Sequence, residues 1–107
     1  MSKPLGPLDE FTLKQLQAAG ANLDKPTEVN NYLFFKKANE AAKAASRLVE
    51  DGYRVRGPSA TKEGPIVVAT TDLVPSPENI ASLRSVMEAI AKDFHGDYDG
   101  WEAAVTT

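Results

Sequence analysis

Cysteine is absent from this 107-residue chain, which excludes a disulfide framework, a thiolate nucleophile and cysteine-bound zinc. Histidine occurs once, as His95. The 7 glycines are scattered and form neither a phosphate-binding loop nor a dinucleotide fingerprint. Excess positive charge is also missing. A formal charge of -3 and a pI near 5.1 give no general attraction to phosphate backbones or anionic lipid. No stretch approaches the length of a membrane span, and the opening MSKPLGPLDEF lacks the apolar run of a signal peptide. A cytoplasmic location with no membrane association is the expectation. Neither repeats nor low-complexity tracts occur.

What is present is ordinary for one globular domain: 42% apolar and 25% charged residues. The strongest local signal lies in SPENIASLRSVMEAIAKDF. Ser76 can cap the free amides of a first helical turn, Pro77 sits where a missing N–H costs nothing, and Glu78 complements the helix dipole. Ile80, Leu83, Met87, Ile90 and Phe94 follow at spacings of three and four, one stripe facing a core. Gly96 is expected to stop this helix, and DYDGW to turn the chain into a short last strand over 101–105.

The remaining elements are read the same way. Residues 1–7 are a loose, flexible lead-in, and Leu8, Phe11, Leu13 and Leu16 mark a short helix over 8–20 that Gly20 ends. Residues 21–28 form a linker, with Pro26 excluding a continued helix. Val29 to Lys36 is a strand whose bulky run Tyr32–Phe35 leaves no polar side, as in a central strand covered twice. Ala38 to Asp51 is a helix with Asn39 as cap, Gly52 after its end, and Ala42, Ala45, Leu48 and Val49 inward. Tyr53 to Arg56 alternates like an edge strand and stops at Gly57-Pro58. Ile66 to Thr71 is a second mainly apolar strand.

The order, a preliminary helix followed by β-α-β-β-α-β, predicts an α+β class: a ferredoxin-like βαββαβ sandwich with a four-stranded antiparallel sheet over 29–107. Both later helices cover one face in that plan. Tyr32 and Phe34 would then face outward, beneath either the 8–20 helix or a second subunit, because an exposed apolar patch of a few hundred Å² is unusual.

Little in the chain points to chemistry. His95, Asp97 and Asp99 could be metal ligands of an enzyme, but a third oxygen ligand and closing glutamate are missing, and a solvated helix end with an acidic turn accounts for them. The same sheet plan serves the RNA recognition motif, yet IVVATTD offers no aromatic for stacking. Glu40 and Glu50 dilute the Lys36, Lys37, Lys43 and Arg47 cluster, so no direct nucleic-acid contact is expected. Tyr98-Asp99-Gly100-Trp101 is the most distinctive string; its aromatics either close the end of the core or anchor a partner.

AGANLDKPTEVNNYLFFK, AAKAASRLVEDGYRV and IVVATTDLVPSPENIASLRSVMEAIAKDFHGDYDGWEAAV together resemble the regulator of ribonuclease E activity B family. The specific parts are Gly52-Tyr53-Val55 after a helix and the closing G-x-YDGWE, Gly96 to Glu102. The resemblance implies a ferredoxin-like protein without catalytic activity, which binds ribonuclease E outside its catalytic region and inhibits or modulates RNA degradation; no cofactor or metal is expected from the residues. The expected partner is therefore a protein, with Asp97, Tyr98, Asp99, Trp101 and Glu102 as candidate contacts. Enterobacterial-type members are strongly acidic, whereas this chain carries only -3. The other reading is a ferredoxin-like interaction domain with an unrelated partner, a homodimer through the open sheet face.

Overall fold

The computed structural model describes residues 7–20 and 24–103. The elements run α1 (Pro7–Ala18), β1 (Thr27–Phe35), α2 (Ala38–Glu50), β2 (Arg54–Ser59), β3 (Ile66–Leu73), α3 (Pro77–Asp93) and β4 (Gly96–Ala103). The four strands order as β2-β3-β1-β4, every neighbouring pair antiparallel. This is the expected ferredoxin-like sandwich with an added N-terminal helix. Of the expected lead-in over 1–7 and linker over 21–28, residues 1–6 and 21–23 lie outside the described residues, as does the strand end at Val105, whereas Pro7 already opens α1 and Thr27 and Glu28 already belong to β1.

The two most apolar strands do occupy the middle. β1 alternates strictly: Val29, Asn31, Leu33 and Phe35 are buried, while Tyr32 and Phe34 are half-buried on the other face. One face of the strand is thus sealed by helices, and the run Tyr32–Phe35 is apolar on both. α2 packs on β2 and β3, α3 on β4 and β1. Leu33, Leu48, Ile80 and Met87 have no or almost no exposure between these layers, each contributing about 1.5–3 kcal/mol by burial.

α3 matches its sequence signals closely. The Ser76 hydroxyl accepts from the Asn79 N–H at 3.1 Å, and Asn79 Nδ2 donates to the Val74 carbonyl at 2.8 Å. Ile80, Leu83, Met87 and Ile90 are buried, with Phe94 packed beside them. Its end differs from expectation. His95, not Gly96, takes the left-handed turn at φ 62, and Gly96 already belongs to β4. The last strand therefore starts five residues before Trp101, and DYDGW is strand rather than turn.

α2 is rotated from its expected phase. Ala41, Ala44 and Leu48 are buried with Ala45 half-buried, whereas Ala42 and Val49 face solvent. Alanines on adjacent positions carry too little contrast to set the phase. Its N-cap is Lys37 without a side-chain bond, so Asn39 does not cap it. Gly52 (φ 95) does follow the helix as expected, where Tyr53 N–H reaches the Leu48 carbonyl and Gly52 N–H that of Val49, a Schellman turn. β2 continues through Gly57-Pro58 to Ser59 with a register shift, which an edge strand tolerates.

α1 lies against β4, and its Leu13 and Leu16 belong to the same core cluster as Leu83 and Trp101. It therefore extends the helical side and does not roof Tyr32 and Phe34, against the first of the two expected covers. Phe11 lies about 200° round the helix from Leu13 and is 60% exposed. The side chain of Leu8 lies outside the described part.

At Gly96 an added Cβ would sit 2.5 Å from the Phe34 carbonyl oxygen and 2.5 Å from ring carbons of Phe35. Gly96→Ala should therefore lower stability by about 1–3 kcal/mol through overpacking, and Ser76→Ala by about 1 kcal/mol through the lost cap. Urea unfolding midpoints check both; a Gly96→Ala midpoint equal to wild type would contradict this packing.

Candidate functional site

β4 carries every residue that its sequence marked for partner contact, and a bulge decides where each one points. Asn31 pairs with Trp101, but Leu33 pairs with Tyr98, so β4 has one more residue than β1 over this interval. Residues three apart in an unbroken strand point to opposite faces. The extra residue brings Tyr98 and Trp101 to the same, helix-covered face. Gly100 at φ 102 makes the bulge possible, a conformation costly for any residue with a Cβ.

The aromatic pair is consequently built into the core. Trp101 is 8% exposed, and the half-buried Tyr98 donates its hydroxyl to Asn31 Oδ1 at 2.9 Å. The carboxylates of Asp97, Asp99 and Glu102 are exposed. Asp97 pairs with Phe34 and Glu102 with Asn30, which places both on the face away from the helices. Glu102 there accepts a hydrogen bond from the Tyr32 hydroxyl.

Asp99 instead borders a cleft of about 290 Å³ between α1 and the bulge, lined by Phe11, Thr12, Arg84, Tyr98, Gly100 and Trp101. The Arg84 guanidinium lies 5.4 Å from the Tyr98 ring centroid and pairs with Glu88 at 2.9 Å. The cleft thus has an exposed phenyl group at its mouth, aromatic rings in its floor, and one charge of each sign on its walls. It can take an apolar side chain and hold a polar or charged neighbour. It has no activated nucleophile. Phe11 and Arg84 escaped the sequence reading: Phe11 looks like part of an apolar helix stripe, and Arg84 like any exposed helix residue.

The His95, Asp97 and Asp99 set does not converge. His95 Nδ1 lies 2.8 Å from Glu40 Oε2 of α2, while Asp97 and Asp99 belong to the two different surfaces just described. Among the described residues no group of three metal-binding side chains exists, and no helix is long and apolar enough to cross a membrane.

Residues 8–103 match the family model described as Regulator of ribonuclease activity B. No curated protein sequence matches the chain.

The contact between Tyr32 and Glu102 has a pH signature. Burial first, then the hydrogen bond and negative charge of Glu102, push the Tyr32 hydroxyl up from 10.0 to about 12, with Arg56 pulling the other way. The folded state favours the protonated phenol. Its stabilising contribution is therefore complete below pH 10.0 and disappears as pH rises towards about 12. Carbon-13 NMR of the Tyr32 ring should show this late titration, moved towards the ordinary value by Glu102→Gln. Ionisation at the ordinary value in the wild type would contradict the contact.

Proposed function

Since the chain belongs to the family of regulators of ribonuclease activity B, a family of non-catalytic regulators, we propose that it binds ribonuclease E in the cytoplasm and alters RNA degradation by protein–protein contact. The observation that carries this reading is the family match, which runs from α1 to the last described residue of β4. It thus includes both walls of the α1–β4 cleft. In this reading a segment of ribonuclease E lays an apolar side chain against Phe11 and the exposed edge of Tyr98, and sets a basic group near Asp99. Aromatic anchors in a partly formed pocket with a charged rim are what a partner surface requires. Asp99 has no ion-pair partner among the described residues, which favours a basic group from outside.

Direct recognition of RNA fits the geometry less well. Base stacking on the open sheet would use Tyr32 and Phe34, but on that face Glu28, Asp72, Asp97 and Glu102 outnumber Arg54 and Arg56, and the net negative charge repels a phosphate backbone.

Trp101 is too buried to serve as a clean probe, because its removal would unsettle the fold. Phe11 and Asp99 are exposed and suit the purpose. Immobilised wild-type protein should retain purified ribonuclease E, and Phe11→Ala with Asp99→Lys should weaken retention at least ~10-fold while Glu63→Lys, in a distant exposed loop, leaves it unchanged. If the wild type retains no ribonuclease E, the functional reading is wrong. If the double variant binds as well as wild type, ribonuclease E docks elsewhere than the cleft.

A further inference from the structure

The face of the sheet away from α2 and α3 has a regular layout. Down its centre Tyr32 and Phe34 of β1 stand beside Val68 and Ile66 of β3. All four side chains are partly exposed. On one flank β2 places Arg54 opposite Thr70 and Arg56 opposite Val68. On the other flank β4 places Glu102 opposite Asn30 and Asp97 opposite Phe34. The face is thus an apolar strip with a basic border on one side and an acidic border on the other. Arg54 is tied to Asp72 by two bonds of 3.1 Å and to Glu28 at 3.6 Å. Among the described residues Arg56 and Asp97 have no ion-pair partner.

We propose that this face binds a second copy of the chain, about a two-fold axis that runs parallel to the strands between β1 and β3. That operation lays β2 over β4 of the second copy and β3 over its β1. Tyr32 then meets Val68 of the other copy and Phe34 meets its Ile66, an aromatic ring against a smaller aliphatic group at each contact. Arg56 meets the border formed by Asp97 and Glu102 of the other copy, and the same contact recurs by symmetry. A two-fold axis perpendicular to the strands would instead set β2 on β2 and β4 on β4, with like charges facing each other. Charge therefore selects both the occupant and its orientation: a surface carrying its own complement across its midline is self-complementary under one axis and self-repelling under the other. Strand directions near parallel are also the usual way two sheets stack.

The flat footprint of four strands over seven residues is on the order of 400 Å² per copy. A standard stable interface buries about 800 Å² per partner, so the dimer is weak and its population rises with concentration. The cleft lies on the opposite face of β4, so this inference is independent of the ribonuclease reading, and the two are tested by different residues.

Sedimentation equilibrium from about 10 µM to about 1 mM on wild type, Arg56→Glu and Asp97→Lys decides the matter, with circular dichroism confirming that all three are folded. Wild type should shift from monomer to dimer across the range. Arg56→Glu makes both symmetric charge contacts repulsive, Asp97→Lys sets a cation against Arg56 beside Glu102 in both, and each variant alone should dimerise at least ~10-fold more weakly. Mixed in equal amounts, the two variants pair with one contact reversed in sign and the other as in the wild type, both attractive, and dimer should return to within a few-fold of wild type. A wild type that stays monomeric throughout, single variants that associate like wild type, or a mixture no better than its components would each overturn the proposal.

Discussion

One buried amide ties the sheet together. Asn31 has no exposed surface, yet it stands among Val29, Leu33 and Ala69 on the helix-covered face of the central strand. Its Nδ2 donates to the Ala69 carbonyl of β3 at 3.0 Å, and its Oδ1 accepts from the Tyr98 hydroxyl of β4 at 2.9 Å. An amide left unpaired at such a place costs about 1–3 kcal/mol, so both neighbours of β1 are held at one register. Slipping either strand by a residue would turn Ala69 or Trp101 away from the core and break the bond as well.

The shape of β4 follows from that requirement. Trp101 lies directly across from Asn31, and Tyr98, three residues earlier, must reach the same amide from the same face. Only a bulge reconciles the spacing with the bond, and Gly100 provides the backbone conformation. Once the aromatics are turned inward, Asp97 and Glu102 are left on the open face while Asp99 borders the α1 cleft. A single strand thereby serves two surfaces. One is a cleft suited to a partner's side chain, the other the acidic border of a sheet face whose basic border lies across β3 on β2.

The order of the elements, the central position of β1 and β3, the cap at Ser76 and the stripe of α3 were all legible in the amino-acid pattern. Each rests on strong contrast between neighbouring residues. Where contrast was low, the reading drifted. Ala41, Ala42, Ala44 and Ala45 have nearly the same preference for burial, so only tertiary packing decides which of them α2 turns inward. The end of α3 was misplaced because His95 occupies the left-handed position that glycine normally fills, and the start of β4 was misplaced with it. Asp97, Tyr98, Asp99, Trp101 and Glu102 were identifiable as a group, but their separation onto two faces depends on a bulge that Asn31 helps impose from a distant part of the chain. Phe11 was hidden differently: an aromatic two positions before Leu13 counts towards an apolar helix, and only the docked helix shows it facing outward.

Family membership gives this chain a regulatory role, and the location proposed for it is the cleft beside the bulged strand. The most direct measurement is amide hydrogen exchange of the protein alone and saturated with ribonuclease E. Slowed exchange concentrated in α1 and in residues 98–101, with α2 and the Thr61–Gly64 turn unchanged, is the result this account predicts. Binding that slows exchange only on α2 or β2 and leaves α1 and the bulge untouched would contradict it.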